Sequence, residues 1–123
     1  MKYAEWLPYK DKEFLVLRAT NVDEDGLFEA MTELKNEIIK KPGALTLVDL
    51  TGTRMTPRIN DIAKSINQEI TAYLDANGLP MQPSALVGIR PIIRAVVQLI
   101  TRNENTYYAS SYDDALEWLY NKK

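Results

Sequence analysis

The stretch ALTLVDLTGTRMTPRIND, residues 44–61, contains a strand, a loop and a helix start in one reading. Its first seven residues form a short apolar run with one charged exception, Asp49, and turn signals bound it on both sides. Such a run fits a central parallel strand covered on both faces, where strict polar alternation is lost. Thr56-Pro57 then supplies an N-cap hydroxyl and a first-turn proline, the pair that opens a helix. Ile59, Ile62, Ala63, Ile66, Ile70 and Tyr73 follow on one stripe, and Asn77-Gly78 stops it.

Working outward, residues 1–7 and 13–20 read as two strands joined by the turn PYKDK, hence an antiparallel hairpin. Asn21 with Glu24 three positions on has the form of a capping pair. Leu27, Met31, Leu34 and Ile38 then mark an amphipathic helix that Pro42-Gly43 ends. Downstream, SALVGI (84–89) is a second buried strand. The helix expected after Pro91 is apolar nearly all round, relieved by Arg94, Gln98 and Arg102. Residues 106–109 read as an edge strand, and Ser111 caps the final helix, DDALEWLYNKK. The order is therefore ββαβαβαβα: an α/β fold with an N-terminal hairpin, then parallel βαβ units with right-handed crossovers and helices packed on the sheet.

Four of the six arginines stand just before or inside the first turns of two of these helices: Arg54 and Arg58, then Arg90 and Arg94. Positive charge there opposes the helix macrodipole, which favours an anion at that end. Parallel topology puts the loop after each strand on one carboxyl edge, so the two arginine pairs are expected to be neighbours. Arg54, Arg58, Arg90 and Arg94, with Thr51, Gly52 and Thr56, form a candidate site for an anion or an acidic partner segment. The alternative reading pairs Arg58 with Asp61 on its own helix and leaves Arg54 in solvent. Asp49, at the strand end, reads as a turn carboxylate accepting hydrogen bonds from the loop. Asp23, Glu24 and Asp25 read as a helix N-terminus rather than a metal site.

At 123 residues the chain is expected to be one domain, residues 1–123. It has no cysteine and no histidine, which removes disulfides, Cys/His zinc sites, thiol nucleophiles and imidazole bases. The expectation is a non-enzymatic protein without a cofactor or metal. The start lacks a signal-peptide core and no apolar run reaches membrane-spanning length, so a cytoplasmic location is expected. A formal net charge of −2 gives general nucleic-acid binding no electrostatic support.

The run LTLVDLTGTRMTPRI, the segment SALVGIRPIIRAVVQLI and the ending YYASSYDDALEWL together resemble the STAS domain family, the fold of the sporulation anti-anti-sigma factor and of the cytoplasmic domains of sulfate transporters. The pattern is similar to that of small stand-alone bacterial members. It is carried by Leu47, Asp49, Thr51, Gly52 and Arg54, then Ser84, Ala85, Val87 and Gly88, then Ala115, Trp118 and Leu119. The resemblance implies a small mixed sheet with helices on it and a binding rather than catalytic role. In signalling members a Ser or Thr at the start of the helix after the central strand is phosphorylated and switches partner binding. The family's Asp-Ser-Ser-Gly element is missing here. Met55-Thr56-Pro57-Arg58 stands in its place, which leaves Thr56 as the matching hydroxyl.

Three functional readings follow. The first is a binding or regulatory module that takes a protein partner or a small anionic or amphipathic ligand at the carboxyl edge. The second is a carrier of an apolar, lipid-like ligand lined by the helix after Pro91. The third is a phosphorylation-switched regulator of the anti-anti-sigma type. The apolar third helix and the tyrosines near the chain ends also make a homodimer an option.

Overall fold

In a computed structural model of the chain, which describes residues 3–54, 56–79, 83–88 and 106–121, β1 (Ala4–Tyr9) and β2 (Lys12–Arg18) pair antiparallel. β3 (Leu45–Asp49), β4 (Ser84–Val87) and β5 (Thr106–Tyr108) then add in turn, each parallel to the last, so the sheet order is β1-β2-β3-β4-β5. Helices α1 (Glu24–Lys40) and α2 (Pro57–Ala76) precede β3 and β4, and α3 (Tyr112–Tyr120) follows β5. No helix among the described residues is long and apolar enough to cross a membrane.

Strands added always on the same side, through crossovers of one hand, put their helices on one face. α1 and α2 accordingly pack against each other over Leu15, Leu17 and Val48. α3 covers the opposite face, over β3 and β4, with Ala115 and Leu119 on Leu47, Ala85 and Val87. β2 is also buried on both faces, its α3-side residues under Leu7, Tyr9 and Tyr120, and Phe14, Leu15, Val16 and Leu17 are all inaccessible to solvent. The unbroken apolar run FLVL follows from that two-sided burial.

Several boundaries differ from the sequence reading. The hairpin turn is only Lys10-Asp11, with Lys10 at φ 55°, so Pro8, Tyr9 and Lys12 are strand residues. Pro8 is tolerated because β1 is an edge strand and needs no outward donor. The cap of α1 is Asp23, not Asn21: Asp23 Oδ1 accepts from Gly26 N at 2.8 Å, while Asn21 turns into the left-handed region at φ 54°. β4 ends at Val87, because Gly88 leaves the strand at φ 88°. Arg90, Arg94 and the helix expected after Pro91 lie outside the described residues.

Two α1 carboxylates secure the edge strand. Glu33 Oε1 accepts from the amides of Tyr3 and Ala4 at 2.9 and 3.1 Å. Glu37, nearly buried, accepts from Trp6 Nε1 at 3.0 Å and pairs with Lys40 Nζ at 3.0 Å. The Trp6 indole first, then Lys40, holds the Glu37 carboxyl below its ordinary range.

Candidate functional site at the carboxyl edge

The loops after β2 and β3 are fastened to each other residue by residue. Ala19 N donates to Asp49 O at 2.9 Å, and Asn21 N to Thr51 O at 3.1 Å. The buried Thr53 hydroxyl closes the seam by donating to Ala19 O while accepting from Val22 N. On the other side, Leu50 N donates to Val87 O at 2.8 Å, and Gly88 lies against the backbone of Thr51. Gly52, at φ 78°, has the Asn21 amide where a Cβ would stand. Three strand ends thus form one rigid ledge, and its shape requires glycine at both contact points.

On this ledge Asp49 Oδ1 accepts from both the amide and the hydroxyl of Thr51, at 3.0 and 2.6 Å. Thr56 Oγ1 accepts from Ile59 N at 3.2 Å, satisfying a first-turn donor of α2. An open cleft of about 580 Å³ separates the starts of α1 and α2, lined by Asn21, Asp23, Glu24, Gly52, Arg54 and Thr56 among others. Arg54 reaches this cleft without any ion pair or hydrogen bond to its guanidinium among the described residues.

Arg58 is not paired with Asp61. Its Nε meets Glu24 Oε2 at 3.1 Å, joining α2 to α1 across the mouth of the cleft. The structure therefore brings Thr51, Gly52, Arg54, Thr56 and Asp49 to one ledge and sets Arg58 at its rim. Two contributors escaped the sequence reading: Asn21, read as a cap, and Glu24, read as helix-end charge. Asn21 carried a usable signal, because asparagine is the residue next to glycine most often found in left-handed backbone.

The overall fold has a counterpart among solved structures. A single-residue variant of RsbS from Moorella thermoacetica superposes with a TM-score of 0.64 at 17% sequence identity, covering 96% of this chain and 95% of that one. The two chains share one fold. It is the STAS-like mixed sheet, with its N-terminal hairpin, parallel continuation and helices on both faces. No protein-family profile matches the sequence, and no curated protein matches it.

Proposed function

We propose that this chain is a non-enzymatic, STAS-type regulatory module that docks a protein partner on the ledge formed by the ends of β2, β3 and β4. The observation that carries the reading is the unpaired Arg54 guanidinium, among the described residues, on a loop otherwise held by hydrogen bonds. A preorganised ledge loses little conformational freedom on binding, and an unspent arginine fork suits a carboxylate or phosphate on the partner. The RsbS-like fold over nearly the whole chain supports a regulatory role. A protein segment suits the cleft better than a small free anion, because Asp23, Glu24 and Asp25 line it beside Arg54 and would repel an isolated anion. Arg90 and Arg94 belong to the proposed surface by sequence position.

Affinity capture from the source organism with wild-type bait and with Arg54→Glu bait tests this reading, followed by calorimetry with the purified captured protein. The expected result is a protein that binds wild type directly and binds Arg54→Glu at least about tenfold more weakly. Identical binding by the two baits sinks the proposal.

A phosphorylation-switched role of the anti-anti-sigma type is the second reading, favoured by the same fold. Thr56 is its candidate acceptor, and its oxygen already caps α2. Thr56→Asp keeps a capping oxygen and adds charge, so it should weaken partner binding without loss of helix stability. Equal partner binding by Thr56→Asp and wild type removes Thr56 from the mechanism.

A further inference from the structure

α3 packs mainly over β3 and β4, and only its last turn reaches the same face of the β1–β2 hairpin. Side chains roof the rest of it. Tyr9 stacks on Phe14 at 5.5 Å and meets the edge of Tyr120 at 5.8 Å. Tyr112, Leu116 and Tyr120, four residues apart, turn one flank of α3 toward this strip and remain half-buried. Three cations lie along it: Arg18 Cζ is 5.8 Å from the Tyr112 ring, and Lys10 and Lys12 Nζ are 4.6 and 5.0 Å from that of Tyr120. Neither Lys10 nor Arg18 forms a salt bridge among the described residues, and the nearby Asp11 carboxylate is held by the Tyr120 hydroxyl. The strip thus combines aromatic rings with three cations.

A matching helix exists on the same chain. The outward face of α1 presents Asp25, Phe28 and Glu29, and Phe28 is 57% exposed, the large apolar side chain most open to solvent among the described residues. It projects from the polar side of a helix whose other face is fully occupied by core packing. Seventeen residues of α1 span about 25 Å, and the seven of β2 about 23 Å, so helix and strip are of equal length.

We infer that the α1 face of one copy docks on the aromatic, basic strip of a second copy, with Phe28 seated between Tyr112 and Tyr120 and its flanking carboxylates against Lys10, Lys12 and Arg18. The two surfaces differ, so the contact is heterologous and extends from copy to copy instead of closing as a symmetric dimer.

Sedimentation velocity over a concentration series at low ionic strength tests the inference. The wild-type chain is expected to grow in average mass with concentration and to return to the 14.0 kDa monomer at about 1 M salt. Phe28→Ala should weaken association at least about tenfold. Reversing the helix (Asp25→Lys with Glu29→Lys) or the strip (Lys10→Glu with Arg18→Glu) should give monomers, and mixing the two reversed variants should restore association. All these side chains lie on the surface, and circular dichroism checks that each variant folds. A wild type that stays monomeric at every concentration overturns the inference, as does association indifferent to Phe28→Ala and to the charge reversals. Monomeric wild type that co-sediments with phosphatidylglycerol vesicles through Lys10 and Arg18 also overturns it, in favour of a membrane surface.

Discussion

A Cβ on Gly88 would stand 2.5 Å from the amide nitrogen of Thr51 and 2.6 Å from its Cα. The end of β4 therefore leans on the loop after β3 with no room for any side chain. Gly88 also sits at φ 88°, where other residues are strained. Gly88→Ala should cost roughly 2–4 kcal/mol, from the backbone penalty and the forced separation together. Urea unfolding measures it, and amide shifts at Thr51 and Gly52 report whether the ledge opens. An unchanged urea midpoint would show that β4 and the loop part freely.

Thr53 holds the β2 and β3 loops together through one hydroxyl that both donates and accepts. Thr53→Val keeps the shape and strands Val22 N and Ala19 O, for a loss of about 2 kcal/mol. Thr56→Ala removes only a helix cap and should cost about 1 kcal/mol. Reversal of that order in chemical denaturation would mean that the seam contributes less than the cap.

The hydroxyl of Tyr120 bonds to Asp11. That bond, more than any other cause, lowers the Asp11 carboxyl below its ordinary value and raises the Tyr120 phenol above its own. The signs give two flanks. Asp11's contribution is full above the unfolded carboxyl value of about 4 and fades as pH falls through the lower folded one. Tyr120's is full below about pH 10 and fades as pH rises through the raised folded value. Tyr120→Phe should therefore destabilise most between about pH 5 and 9, with the gap to wild type narrowing on both sides. A gap constant with pH would show that the bond does not persist in solution.

Glu33 blocks the amides of Tyr3 and Ala4, and Pro8 removes a further donor from the same edge strand. Glu33→Ala combined with Pro8→Val should speed hydrogen exchange in β1 and promote aggregation through strand pairing. Light scattering and exchange mass spectrometry follow the two effects. A double variant that stays as soluble and as protected as wild type would show that the edge is guarded by other means.

The fold was legible wherever one local pattern determined it. ALTLVDL announces a strand buried on both faces, Thr56-Pro57 announces the start of α2, and the structure has both. Reading failed where the deciding partner is remote in sequence. Asn21 matched a capping pair with Glu24, yet its backbone conformation goes with its contacts to Thr51 and Gly52 on the next loop. Arg58 had an acid three positions away in Asp61, but Glu24 reaches it from another helix. Phe28 broke the polar face of α1, and a search for apolar periodicity passes over a single breach.

Strands that lie in the sheet in the order of their synthesis let the chain grow by accretion, each new strand finding its neighbour already in place. α3 reaches back toward the start of the sheet. Its last turn returns to the first hairpin, where Lys12 Nζ donates to the carbonyl of Tyr120 at 2.6 Å across 108 residues of sequence. That contact cannot form until α3 has been synthesised, and until then one face of β3 and β4 lacks that helix. Without α3, Leu47, Ala85 and Val87 would present apolar surface to chaperones and proteases; with it, they are buried.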